Sequence, residues 1–491
     1  MTLSPLRPNT PDLGDLDPEA LIKEARRLRR RRRLIGSFLA ALLLLLSGLG
    51  LLLAGRRSTP RGSALANQPP PPTIPPSATA SQSTAQSKPF VNTSAFAGNG
   101  NLAFVSNNTL WVLDGSTRSL KEVAGAYSED PKFSLDGRWL AYLTYTPLKY
   151  PGIGPTAGQL WIAHSDGSDP HKISGLPDVA IISWSPKSDL LAASGGSIPG
   201  IYLVNTSGSA HEIPGTSHAS KFVWSPDGTE IAYSGWYKYG GLRTVPISGG
   251  SSVLWESTYN IPKYPNSSNP TIPAAWLPNG NGLLFWIDPQ DSGSIEMDGL
   301  YLYLLAKPGG KPHLLGTTLV DSSSVAVSNS GNIAITEGGG RYQWSNKKVE
   351  ICSASTGTCK AVPSKDSQVT FDPYWEQSGE TLVYSEGPDN GQKPFPQAAL
   401  SKWYSELSLR MLNLGEDISS EVPGTVGGAA TLLSSSGQEL LYESGDALWM
   451  KLGGSSSPVE IEHPLFPVNS WPTTYAQVDW PQQFSWTQFS S

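Results

Sequence analysis

Cysteine is almost missing from this chain of 491 residues: there are two, Cys352 and Cys359, too few for a framework of several disulfides or for a cysteine-ligated metal. Histidine is scarce as well. None of His164, His171, His211, His218, His313 and His463 forms a close pair such as His-x-x-x-His, and none has a cysteine beside it. No metal site, no cofactor and no catalytic residue is therefore expected. Charged residues are only 15% of the chain, and helix-period patterning is nearly absent beyond residue 60, which argues against a helical fold. What replaces them is glycine (50), proline (42) and tryptophan (16), the composition of many short strands joined by tight turns.

Charge divides the chain. Residues 1–57 carry 11 of the 35 Lys and Arg but only 5 of the 41 Asp and Glu. The remainder is acidic, so nucleic acid is not an expected partner.

A short phrase recurs eight times. Its clearest copy is FVWSPDGTEIAYSG from Phe222 to Gly235, followed by KFSLDGRWLAYLT at Lys132, ISWSPKSDLLAASG at Ile182, AAWLPNGNGLLFWI at Ala274 and PYWEQSGETLVYSEG at Pro373. Fainter copies start at Ser94, Val325 and Thr431. An apolar or aromatic residue ends one strand. Ser-Pro-Asp-Gly or a relative then turns the chain, with Pro presetting φ and Asp and Gly tolerating left-handed backbone, and a second apolar strand follows. Further strand pairs lie downstream, as in LYLYLLAKPGGKPHLLG at Leu300. Two hairpins per repeat make a four-stranded antiparallel blade, and the turn positions lie 37 to 58 residues apart, as blades with variable loops require. The expected fold is an all-β propeller of eight four-stranded blades, or seven if the first copy only completes the last sheet. The tail Val478–Phe489 is strand-like and is expected to pair near Phe90–Phe104, joining the chain ends.

Over about residues 94–463 the phrase resembles the WD-like repeat of the TolB propeller family, found also in the propellers of prolyl oligopeptidase-type peptidases. The resemblance implies a propeller and allows an envelope-assembly role. TolB has an α/β domain before its propeller, whereas residues 1–93 here read as anchor and spacer. The peptidases carry an α/β-hydrolase domain, but no Gly-x-Ser-x-Gly elbow occurs in this chain. Sialidase-type Ser-x-Asp-x-Gly-x-Thr-Trp boxes do not match either, because the turns place Asp directly before Gly, as in Asp136-Gly137 and Asp227-Gly228.

Residues 34–55 contain no charge and, as a helix, would rise roughly 33 Å, enough to cross a bilayer core. Arginines crowd the preceding segment from Arg26 to Arg33, so residues 1–33 are expected to be a cytoplasmic basic tail that meets anionic headgroups. A cleaved signal peptide is the alternative, with Ala64-Leu65-Ala66 as the cleavage site, but the apolar run is longer than usual. No cysteine lies at the end of the span, which excludes a lipid anchor there. Residues 56–89 are rich in Pro, Ser and Thr and read as an extended spacer. Residues 90–491 would then form a propeller outside the cell, held by one membrane span.

Two features remain. Cys352 and Cys359 bracket a hairpin in blade six, and a two-residue turn at Ser355-Thr356 puts them opposite each other, so an exported chain should oxidise them. Aromatic residues crowd the long loops: Tyr145, Trp236, Tyr237, Tyr239, Tyr264, Tyr342, Trp344, Trp403 and Tyr404, with lysines such as Lys347 and Lys402 between them. Aromatics on loops of a rigid scaffold are interface and sugar-binding residues when exposed, though about half are expected to pack under their own loops. The expectation is a non-catalytic module that binds a glycan or protein ligand. A glycosidase- or lyase-type enzyme with its site at the central channel is the alternative. His164 and His171 could face each other across a hairpin, and Asp288 and Asp291 sit in a loop where turn-making explains them.

Overall fold

The computed structural model describes residues 88–488 apart from 126, 147–156, 197, 236–240, 258–270, 289–297, 393–396, 415–417, 435–436, 454–456 and 467–479. Eight antiparallel sheets succeed one another along the chain, with their strands side by side in sequence order except at the seam between the chain ends, which is the arrangement of an eight-bladed propeller. Blades two to eight begin with the inner strands Ser128–Phe133, Ile181–Trp184, Ala219–Trp224, Thr271–Trp276, Val325–Val327, Gln368–Trp375 and Ala429–Leu433.

Blade one is assembled from both ends of the propeller. Its inner strand is Phe484–Thr487, which pairs with Asn101–Phe104 in the register Asn101↔Thr487 to Phe104↔Phe484. The tail thus pairs where expected. The segment before Gly100 does not form the first strand of its own copy, because the tail occupies that place. Phe90–Val91 instead adds a fifth strand to the outer edge of blade eight, opposite His463 and Glu462. The ring is closed at both edges of the seam.

The recurring turn is held by side chains. In blade four the Gly228 amide donates to the Ser225 carbonyl at 2.9 Å, and the Ser225 hydroxyl donates to Asp227 Oδ1 at 2.6 Å while accepting from the Glu230 amide at 2.9 Å. Only the glycine is left-handed, with φ +70° at both Gly137 and Gly228. The aspartate before it contributes its carboxylate, not left-handed backbone, which corrects the role expected for it. The tryptophan that ends the inner strand reaches back to the preceding blade. Trp184 Nε1 donates to the Lys132 carbonyl at 2.8 Å, Trp224 Nε1 to Ser183 at 3.0 Å and Trp375 Nε1 to Ala326 at 3.3 Å. Each such ring is buried between two sheets and staples one blade to the next, which gives a physical reason for the phrase to carry Trp immediately before its turn.

Cys352 and Cys359 form a disulfide and occupy directly opposed positions, with Cα atoms 4.0 Å apart. The loop between them is longer than expected: the Ser353 amide donates to the Thr358 carbonyl, and Gly357 takes φ +68°. The register is unchanged because both turns centre on Ser355-Thr356. Closing so short a loop stabilises by about 2 kcal/mol on the chain-entropy estimate. Alkylation without reductant should leave both thiols unlabelled, and replacing both by Ser should lower stability by about that amount. Full labelling of unreduced protein would refute the bond.

Among the described residues no helix is long and apolar enough to cross a membrane. The segment 34–55 lies outside them.

Candidate functional site

One face of the ring carries the short turns inside each hairpin. The other carries the connections between second and third strands and between blades, among them the described stretches that hold Trp344 and the helix of blade seven. The two faces differ in what they can offer a ligand, and the long-loop face is the one the sequence singled out.

Three of the expected loop residues are not available there. Residues Gln397–Ser405 form an α-helix inside the blade-seven insertion. Leu400, Trp403 and Tyr404 lie on one face of it and, with Leu407 just past its end, are buried with Trp344, Val369 and Phe371. The Trp403 indole donates to the Pro388 carbonyl at 2.8 Å and stacks on Phe371 with centroids 5.7 Å apart. Trp344 stacks on Tyr342 at 4.7 Å and meets Trp403 edge-on at 6.5 Å. Trp344, Trp403 and Tyr404 therefore bind one another and the underlying sheet, and a spacing of three and four from Leu400 is what turns the two helix residues inward. Lys347 is buried too, donating to the carbonyls of Gly338, Gly339 and Gly340 at 2.7, 3.1 and 2.6 Å. Burial holds its ammonium down at about 8. Tyr145 and Tyr342 are half-buried at the loop bases. Trp236, Tyr237, Tyr239 and Tyr264 lie outside the described residues.

His164 and His171 do not face each other. His164 pairs with Trp139 and stacks on its ring at 4.7 Å, while His171 lies opposite Ile162. Asp288 is buried, and Asp291 lies outside the described residues. Among the described residues no group of three His, Cys, Asp or Glu side chains could hold a metal ion.

The channel holds what the sequence reading missed. A cavity of about 500 Å³ lies between the inner strands of blades one, two, six, seven and eight. Its wall includes Tyr374, Trp375, Trp480, Phe484 and Trp486, with one carboxyl among the described residues, Asp372. Asp372 sits at a bulge between the pairs Phe371↔Ser385 and Tyr374↔Val383, with φ +52°. Asp130 occupies the matching bulge of blade two with φ +59°. Both precede a proline, so the signal was an Asp-Pro pair just upstream of the phrase, at Asp130-Pro131 and Asp372-Pro373.

Buried carboxyls gather around this part of the ring. Burial, then the charge of Asp321, pushes Asp372 up to about 8, although Ser323 and Trp480 oppose the shift, and the Gln343 amide donates to its Oδ1 at 3.4 Å. Glu443 ends the second strand of blade eight. Its Oε1 accepts the Asp446 amide at 3.0 Å, while Oε2 meets no donor. Burial, with repulsion from Asp446 and Asp372, holds it well above the usual carboxylate range. Burial also raises Asp446 to about 6 and Glu462 well above its ordinary value. A carboxyl raised in the fold binds its proton more tightly folded than unfolded. Its contribution is complete below the unfolded value near 4 and is lost as pH rises to the folded value. Stability should therefore fall from about pH 4 to pH 6, where Asp446 and Asp372 both act, and less steeply to pH 8. Melting curves across that range check this, and a melting temperature that rises from pH 5 to 8 would contradict it.

No family model and no curated protein matches the chain. Solved structures match over most of the propeller. A eukaryotic initiation factor is 12% identical across 78% of this chain and 91% of its own, with a TM-score of 0.45. TolB from Acinetobacter baumannii is 17% identical across 67% of this chain and 78% of its own, with a TM-score of 0.33. Dipeptidyl peptidase 4 from Porphyromonas gingivalis is 11% identical across 76% of this chain, which spans 62% of the peptidase, with a TM-score of 0.47. The likeness is one of fold. The blade count and closure rest on the strand pairing itself.

Proposed function

We propose that this protein is a membrane-anchored binding module whose propeller stands outside the cell and holds a glycan or protein ligand on its long-loop face. The observation that carries this reading is the asymmetry of the ring. Short hairpin turns close one face, and the described insertions, which carry Trp344 and the helix Gln397–Ser405, lie on the other face of a scaffold sealed at its seam. The disulfide favours an exported propeller, because such bonds persist in oxidising compartments.

The test is direct. The full chain, immobilised, is probed with a panel of envelope polysaccharides and with envelope proteins, and any ligand recovered is re-tested on a variant with Trp236, Tyr237, Tyr239 and Tyr264 replaced by Ala. The expected result is loss of binding by at least tenfold with an unchanged melting temperature. Undiminished binding by the variant would remove the ligand from this face.

A further inference from the structure

We infer that the channel cavity is a binding site for an organic ammonium ion, a site separate from the long-loop face. The cavity holds about 500 Å³, room for a small organic cation together with a few waters. Its wall presents the rings of Trp375, Trp480, Trp486, Tyr374 and Phe484. Two of the indoles have already spent their N–H groups, Trp375 on the Ala326 carbonyl and Trp486 on the Asn99 carbonyl. Neither N–H is therefore open to a ligand, so what these two contribute to the wall is aromatic carbon, the kind of surface that attracts cations.

The charges nearby point the same way. Asp372 lies on the wall and is only 8% exposed. The groups that bear on it are Asp321 from the loop before blade six, Glu443 from blade eight and the Tyr404 hydroxyl from the helix. Glu443 is fully buried with one oxygen lacking any donor. The lysine on the wall, Lys132, is held by Asp130 at 2.8 Å. Acids thus outnumber cations around an aromatic cavity, and a bound ammonium supplies the missing charge. Once Asp372 is ionised, an anion would meet repulsion there.

Ammonium binding needs Asp372 ionised, and in the free protein this group is held up at about 8. Affinity should rise about tenfold per pH unit from 6 to 8 and level off above that, with a proton released on binding.

Calorimetry on the full chain uses choline, lysine amide and 3,3-dimethyl-1-butanol, the last being the uncharged counterpart of choline. The expected result is saturable binding of at least one cation, at least tenfold tighter than the alcohol and reduced at least tenfold in Asp372→Asn. Asparagine keeps the shape and tolerates the left-handed backbone at this position. Preference for choline over lysine amide would identify a quaternary ammonium as the source of the charge, and the reverse a primary amine. Equal binding of alcohol and choline, unchanged binding in a folded Asp372→Asn, or no binding of either cation would overturn the proposal. The Trp236, Tyr237, Tyr239 and Tyr264 variant should keep choline binding, so the two readings fail separately.

Discussion

Deleting residues 476–491 should destroy cooperative folding of the propeller, not merely trim an end. The deletion removes the inner strand of blade one and, with it, all pairing along one edge of Asn101–Phe104, leaving only the pairing with Trp111–Asp114 on the other. Trp480 and Phe484 leave the cluster that contains Phe96, Leu102, Phe104 and Leu441. Truncating one such buried aromatic to Ala costs about 3–5 kcal/mol, so losing both approaches the whole stability of an ordinary domain, about 5–15 kcal/mol. A single substitution tests the same seam. Gly100 has φ +82°, and a Cβ there would lie 1.9 Å from the Thr487 carbonyl oxygen, so Gly100→Ala must displace the tail strand. Near-UV circular dichroism during thermal melting reads both variants. A deletion variant that melts like the parent would mean the ring does not depend on this closure.

Much of this architecture was legible because turns are local. The Ser-x-x-Gly hydrogen bonds need only consecutive residues, so their chemistry appears in the sequence as a repeated phrase. The cysteine pairing was legible for the same reason: a hairpin register is set by its own centre, and Ser355-Thr356 remains the centre at either loop length. The provenance of the inner strand of blade one was less visible, since the stretch from Ser94 resembles the other copies although its first-strand position is filled from residues 484–487. The helix Gln397–Ser405 had a signal in the spacing of Leu400, Trp403, Tyr404 and Leu407. The Gly- and Pro-rich stretch from Gly387 to Pro396 just before it obscures that spacing. The channel acid was hidden by a different cause. Asp372 is defined by what crosses the ring, namely Trp480 from blade one and Asp321 from the loop before blade six, and no local pattern records such a meeting. The Asp-Pro pair marks only the bulge that aims it.

Replacing Trp403 by Ala should lower stability by about 3–5 kcal/mol, an effect on the fold and not on ligand contact. The indole is buried, stacks on Phe371, meets Trp344 and Tyr404 edge-on and donates to the Pro388 carbonyl. Alanine would leave a cavity beneath the insertion and one carbonyl without its donor. Trp403→Phe separates these terms. It keeps most of the ring volume and loses only the N–H, so about 1–3 kcal/mol should be lost. If instead this tryptophan were a ligand platform, Trp403→Ala would melt with the parent and lose only binding. Denaturant titration of the two variants against the parent decides between them. The graded order Ala, Phe, parent is expected in the unfolding midpoint, and an unchanged midpoint for Ala would return Trp403 to the surface.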